Sequence, residues 1–271
     1  MVDIKINDDL RLTDDKFLMI AGPCSVESEE QIISVAKDLR RIGVNVLRGG
    51  AFKPRTCPDS FQGLGEKGLK LLAKAREATG MAIITEVMDI EDLPLVEEYA
   101  DILQIGSRNS QNFSLLKRIS KQDKPVLLKR GFGNTVDELV ASSKYLAMNG
   151  NKKIMFSERG IRTFEQSTRF TLDISAIPVL HEKTEYPVII DPSHPAGNRN
   201  YVESIALSAV AAGADMLEIE VHNNPESALS DSKQQLTFEE FGRLVRNARR
   251  ITEILGNGPR KRMNQDSSSF F

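Results

Sequence analysis

Two sets of side chains in this 271-residue sequence are able to do chemistry together, although neither is local in the chain. The first is cationic: Arg48, Lys53, Arg55, Arg108, Lys129, Arg159 and Arg162. Guanidinium forks and ammonium point charges suit phosphate and carboxylate oxygens. Gathering this many cations without bound anions is unfavourable, so they point to more than one phosphate, or to a phosphate plus a carboxylate. The second set is Cys24, His194, Glu220 and Asp231, a thiol, an imidazole and two carboxylates. Mixed S, N and O donors suit a first-row divalent ion such as Mn, Fe, Co or Zn. Taken singly, each residue has a plainer use: Cys24 as a small core residue, His194 and Asp231 at turns, the cations as solvated loop charges. No CxxC or HExxH spacing ties the donors together, so only the fold can.

The elements that must do this alternate along the whole chain. Apolar runs predict strands at Phe17–Ala21, Val44–Leu47, Ala82–Thr85, Ile102–Ile105, Val126–Lys129, Ile154–Phe156, Val188–Asp191 and Met216–Val221. Amphipathic runs predict helices at Glu29–Ile42, Gly68–Thr79, Ile90–Tyr99, Ser114–Ser120, Val136–Met148, Phe164–Leu180, Tyr201–Ala212 and Phe238–Ile254. Strict alternation means parallel strands with crossover helices, and about eight repeats over this length fit one closed (β/α)8 barrel of the α/β class, a TIM barrel. In such barrels ligand chemistry sits at the carboxyl ends of the strands. Both sets of residues above fall there, as does Glu86. In the last strand Leu217, Ile219 and Val221 would face the helices, with Met216, Glu218, Glu220 and His222 turned inward. His222 would then stand behind a ligand. The chain is expected to be one domain over 1–271. Residues 1–16 form an extension, with a hairpin or strand near Asp3–Thr13 at the barrel bottom, and 256–271 a polar tail.

Composition excludes several classes. Hydrophobic residues (40%) and charged residues (27%) are in ordinary globular balance, and 36 basic against 38 acidic residues give no excess that would seek nucleic acid. The longest apolar run, Phe17–Gly22, is far short of the ~20 residues of a membrane span. The start, MVDIKINDDLRL, lacks the apolar centre of a signal peptide, and two cysteines give no disulfide framework, so a cytoplasmic protein is expected. Other candidates read as structure. Gly131-Phe132-Gly133 is a turn into a capped helix rather than a nicotinamide site. His181 is expected in a solvated loop, and Cys57 to fill space beneath the Lys53-Pro54-Arg55-Thr56 run. Arg130 and Arg162 are left open between site and surface.

Six motifs occur in order: Gly22-Pro23-Cys24-Ser25, Lys53-Pro54-Arg55-Thr56, Ser107-Arg108-Asn109, Glu158 to Thr163 (ERGIRT), Asp191-Pro192-Ser193-His194 and Ser230-Asp231. On these the chain, over roughly Phe17–Ile254, resembles the 3-deoxy-D-arabino-heptulosonate 7-phosphate synthases, in the short subfamily that also resembles 3-deoxy-D-manno-octulosonate 8-phosphate synthase. The resemblance implies condensation of phosphoenolpyruvate with D-erythrose 4-phosphate, releasing phosphate, as the first step of the shikimate pathway. It implies one divalent metal held by Cys24, His194, Glu220 and Asp231. Phosphoenolpyruvate would bind Arg48, Lys53, Ser107, Arg108, Lys129 and Arg159, and the sugar phosphate Arg55 and Thr56. Lys53, Cys24, His194 and Glu86 would be catalytic, Lys53 giving a proton to the aldehyde oxygen and the metal or Glu86 holding the water that adds.

Ser107, Ser157 and Cys57 stand where relatives often carry Ala, Cys and Ser, and Ser232 where Gly is frequent. No regulatory or chorismate mutase segment is recognised, so little feedback inhibition by aromatic amino acids is expected. Association as a homodimer or homotetramer is implied. Two other readings remain: the octulosonate synthase, using arabinose 5-phosphate, and a phosphosugar-binding barrel without catalysis. Lys53-Pro54-Arg55-Thr56 argues against the former, which usually reads Asn-Arg there. The complete metal set argues against the latter.

Overall fold

A computed structural model describes residues 3–13, 17–55 and 57–255. Two short strands, β1 (Asp3–Lys5) and β2 (Arg11–Thr13), pair antiparallel as a hairpin. Eight parallel strands follow: β3 (Leu18–Gly22), β4 (Val46–Arg48), β5 (Ala82–Glu86), β6 (Ile102–Ile105), β7 (Val126–Lys129), β8 (Ile154–Glu158), β9 (Val188–Ile190) and β10 (Met216–Glu220). They close in chain order, with β10 returning to β3 in a register that runs from Met216 opposite Leu18 to Glu220 opposite Gly22. This is the expected single (β/α)8 barrel.

The helices are α1 (Glu29–Ile42), α2 (Glu66–Thr79), α3 (Leu93–Tyr99), α4 (Phe113–Ile119), α5 (Val136–Ala147), α6 (Ala176–Lys183), α7 (Ser193–Ala196), α8 (Arg199–Ala211) and α9 (Phe238–Ile254). Their starts are chemically marked. The Ser28 side chain caps α1, and Thr135 with Glu138 and Thr237 with Glu240 form capping boxes on α5 and α9, each cap contributing about 1 kcal/mol. Apolar residues then recur at helical spacing, as Ile32, Val35, Ala36 and Leu39 do on α1 and Phe241, Leu244, Val245 and Ala248 on α9. The predicted Phe164–Leu180 helix is mostly absent: only α6 is helical, and the segment before it is a loop pinned by an Ile161–Thr171 bridge. Its residues 162–167 are exposed and have no apolar stripe to bury. The third helix starts at Leu93 rather than Ile90 because Pro94 sits in its first turn, where proline's missing N–H costs nothing.

Strand alternation divides the buried residues into two cores. Met19, Ala21, Leu47, Ile83, Leu103, Leu128, Phe156, Ile190, Leu217 and Ile219 pack outward against the helices. Leu18, Ile20, Val46, Ile84, Ile102, Leu127, Met155, Ile189 and Met216 fill the barrel's lower interior, joined from below by Ile4, Ile6 and Leu12 of the hairpin segment. Two residues further along several strands, the inward positions turn polar: Arg48, Glu86, Gln104, Lys129, Ser157 and Glu218, with Asp191 beyond β9. The apolar layer supplies stability and the polar layer above it supplies the site.

The hairpin is therefore part of the inner core. Replacing the 2%-exposed Leu12 by alanine should cost about 2–5 kcal/mol in urea unfolding. A loss under ~0.5 kcal/mol, the size of an ordinary surface substitution, would show that the hairpin does not pack into the barrel.

Candidate active site

The upper inward positions meet in a continuous series of buried ion pairs. Arg48 donates from Nη1 to Glu220 Oε1 at 2.7 Å, and its Nε lies 3.3 Å from Glu218 Oε1. Lys129 Nζ is 2.8 Å from Glu218 Oε2 and donates to Asp191 Oδ2 at 2.7 Å. That same Asp191 oxygen is 2.6 Å from His194 Nδ1, while Asp191 Oδ1 accepts the His194 backbone N–H. Asp191 thus fixes both the turn into α7 and the direction of the imidazole, leaving Nε2 toward Glu220 and Asp231, 3.6 and 3.7 Å away. Burial alone would raise the Glu220 and Asp191 carboxyls. For Glu220 the charges of His194, Arg48 and Lys53 outweigh burial, and for Asp191 those of His194, Lys129 and Arg159 do. Both are held well below the usual carboxylate range.

Cys24 reaches this group from the loop after β3. Gly22 is required there, because a Cβ would fall 2.0 Å from the Arg48 carbonyl oxygen. The Cys24 Sγ lies 2.9 Å from Ser230 Oγ and 3.5 Å from Asp231 Oδ2. Donor atoms of Cys24, Glu220 and Asp231 all lie within 4.8 Å of one another. Two glutamines brace them. Gln235 accepts the Cys24 N–H at 3.0 Å, and Gln234 donates to Glu220 at 2.6 Å and to Asp231 at 3.3 Å. Asp231 is the one non-glycine among the described residues with positive φ, at 49°, a conformation that Asp tolerates better than most. Burial first, and then the Glu220 carboxylate, push the Cys24 thiol up to about 12. A thiol and two carboxylates within this reach fit a divalent first-row ion, whose charge would bring the thiol down to its ligating form; the His194 imidazole faces the two carboxylates but stands outside the mutual 4.8 Å group.

Above this floor the barrel mouth opens as a cavity of about 510 Å³ lined by eight basic side chains, Arg48, Lys53, Arg55, Arg108, Lys129, Arg159, Arg162 and Arg169, against Glu86 and Asp231. Lys53 donates to the Cys24 carbonyl at 3.0 Å, which sets its ammonium beside the metal donors. Arg55 donates to the Phe61 carbonyl, yet among the described residues its buried Nη2 has no hydrogen-bond partner, and the same is true of Arg159 Nη1. Unpartnered buried guanidinium nitrogens point to an anion, since leaving them so is costly. Ser107 and Arg108 stand on a single helical turn after β6. Glu86 is pressed against Gly106, where a Cβ would lie 1.9 Å from its Oε1, and burial raises its carboxyl despite the nearby cations, Lys53 foremost.

Of the predicted site residues, Arg48, Lys53, Arg55, Glu86, Ser107, Arg108, Lys129, Arg159, His194 and Asp231 line the mouth, Cys24 and Glu220 are buried beneath it, and Thr56 lies outside the described residues. Arg162 lines the cavity, whereas Arg130 does not and instead pairs with Glu158 and Asp173 at 2.9 and 2.8 Å. His181 is not in a solvated loop: it is half-buried on α6, with its side chain 5% exposed and 2.8 Å from Asp215. Its partner lies 34 residues on, so local charges misled the reading. Cys57 is exposed at the rim rather than packed beneath it. His222 turns toward Glu27 at 3.5 Å. Sequence reading missed Arg169, Phe132, Phe170, Gln234 and Gln235. The one available signal was that Gln234 and Gln235 closely follow Asp231.

The fold and its mouth define a (β/α)8 barrel that gathers basic side chains around a thiol and two carboxylates of a kind that could hold a metal ion. Residues 3–255 match the DAHP synthetase I family, and the chain belongs to that family. It is 52% identical over 248 residues to the phospho-2-dehydro-3-deoxyheptonate aldolase of Thermotoga maritima, covering 92% of this chain and 73% of that one. The crystal structure of that Thermotoga enzyme superimposes with a TM-score of 0.91, covering 95% and 75% of the two chains at 49% identity. A truncated form of 3-deoxy-D-arabino-heptulosonate 7-phosphate synthase from the same organism gives 0.88 at 47% identity, covering 95% and 94%. The 2-dehydro-3-deoxyphosphooctonate aldolase of Acidithiobacillus ferrooxidans is more distant, 31% identical over 260 residues, with 89% and 91% covered.

The Cys24 geometry makes ion binding pH-dependent in a defined direction. With its thiol at about 12, Cys24 is protonated at neutral pH and must lose a proton to ligate. Chelator competition with Co²⁺ between pH 7 and 9 should show affinity rising about tenfold per pH unit more steeply in the wild type than in Cys24→Asn. Equal slopes would remove Cys24 from the ligand set.

Proposed function

We propose that the chain condenses phosphoenolpyruvate with D-erythrose 4-phosphate and water, giving 3-deoxy-D-arabino-heptulosonate 7-phosphate and inorganic phosphate. The observation that carries this reading is the juxtaposition of eight basic side chains and His194 around the mouth with a thiol and two carboxylates grouped at its floor. The similarity to the Thermotoga aldolase supports it.

Phosphoenolpyruvate is held by Arg48, Lys53, Arg108, Lys129 and Arg159 with Ser107, and the sugar phosphate by Arg55 and Thr56. Fixing two anions at once turns their encounter into a reaction within one complex, which lowers the entropic part of the barrier. A divalent ion held by Cys24, His194, Glu220 and Asp231, of the Mn, Fe, Co or Zn class, supplies Lewis acidity at the aldehyde oxygen when bound. Carbon 3 of phosphoenolpyruvate forms the new C–C bond to the aldehyde carbon, and Lys53 gives a proton to the aldehyde oxygen as it becomes a hydroxyl. Positive charge then sits at C2, where water adds. Glu86, raised by burial, is suited to hold that water and take the proton it releases. The C2–O bond to phosphate breaks, phosphate departs, and the keto group remains. The cations stabilise the anions that shift through these steps. A homodimer or homotetramer in the cytoplasm completes the proposal.

Phosphate release from phosphoenolpyruvate tests it directly. Erythrose 4-phosphate should be preferred over arabinose 5-phosphate by about 10²-fold or more in kcat/KM, as expected where a site must bond one sugar's hydroxyls and not another's. A preference for the five-carbon sugar would reassign the chain to the octulosonate reaction, and no turnover with either would leave a binding protein. Lys53→Met should lower kcat by about 10²–10⁴. Complete chelation should abolish turnover, and activity that survives it would remove the metal from the scheme.

A further inference from the structure

Four arginines of the mouth, Arg108, Arg159, Arg162 and Arg169, gather around two phenylalanine rings contributed by different loops. Phe132, after β7, and Phe170, in the loop before α6, stack with centroids 5.1 Å apart and planes 5° from parallel. Arg108, Arg159 and Arg162 lie over Phe132 at 5.6, 4.8 and 5.4 Å, and Arg159 and Arg169 over Phe170 at 4.5 and 5.8 Å. The arrangement is built into the backbone. The Arg162 N–H donates to the Phe132 carbonyl at 2.8 Å, locking the two loops together. Gly160, at φ 92°, lets Phe170 approach, since a Cβ there would lie 2.7 Å from the Phe170 Cβ. Arg159 is 5% exposed and keeps a buried Nη1 without a hydrogen-bond partner.

Clustered guanidinium groups must be held in place before a ligand arrives. Carboxylates would hold them but would also cancel their charge and compete with an incoming anion. A ring face attracts a guanidinium through its quadrupole, carries no net charge, and leaves the N–H edge free. We propose that Phe132 and Phe170 are positioning residues that aim Arg108 and Arg159 at the phosphate of phosphoenolpyruvate and bring Arg162 into the same anion-binding set, whereas Arg169 is held by Asp231 at 3.3 Å and Gln234 at 3.0 Å. This rests on the reading of the mouth as a phosphoenolpyruvate site.

The test is calorimetric titration of phosphoenolpyruvate and of inorganic phosphate into the wild type, Phe132→Leu, Phe132→Tyr and Phe170→Leu, with steady-state kinetics alongside. Leucine keeps the apolar bulk and removes the quadrupole, while tyrosine keeps both. Each leucine variant should weaken both ligands about tenfold and raise KM for phosphoenolpyruvate by a similar factor, with a smaller change in kcat, whereas tyrosine should stay within about twofold. Wild-type affinity in the leucine variants overturns the proposal, as does an equal loss with tyrosine and leucine, which would leave only a packing role. Phe170→Leu carries the test if Phe132→Leu does not fold. If the wild type itself shows no saturable binding of either ligand, the reading of the mouth fails and the proposal with it.

Discussion

The upper half of this barrel depends on one constraint: charges taken out of water must alternate in sign and stay in contact. Glu220, Arg48, Glu218, Lys129 and Asp191 satisfy it in that order, drawn from β10, β4, β7 and the end of β9, and Asp191 ends the series on the His194 ring of α7. Removing one member of a buried pair typically costs about 3–5 kcal/mol, because the other is left uncompensated. The ends of the series, Glu220 and His194, are both among the proposed metal ligands. The donors are thus held by the same electrostatics that hold the barrel's polar layer together, and three carboxylates against two permanent cations leave that layer receptive to positive charge.

The walls have the opposite balance. Eight basic groups face two carboxylates across the cavity, and the floor and walls lie within one ligand's length of each other. Lys53 stands at the boundary through its contact with the Cys24 carbonyl. Such a site separates its tasks by depth: a cation is favoured at the bottom and anions at the sides. Both are compatible with bringing an aldehyde and an enol phosphate into contact above the donor group.

Much of this was legible in the sequence because strand alternation is a strong local signal. Once Leu217, Ile219 and Val221 are read as outward, Glu218 and Glu220 must turn inward, and the structure agrees. Residues placed by long-range closure were harder to read. Phe132 between two glycines reads as a turn, which it is; that its ring meets Phe170 depends on the path of an irregular loop. Arg130 and Arg162 are indistinguishable as letters, and only the nearness of Glu158 and Asp173 separates a structural cation from one that faces the cavity. His181 shows the same limit, since Asp215 reaches it from the start of another strand.

Ile4, Ile6 and Leu12 stopper the lower end of the barrel with hydrocarbon, so molecular traffic to and from the polar layer runs through the rim. Among the described residues the chamber is closed below and open above, a shape that favours a queue. Of two ligands stacked in such a chamber, the one nearer the floor would be the first in and the last out.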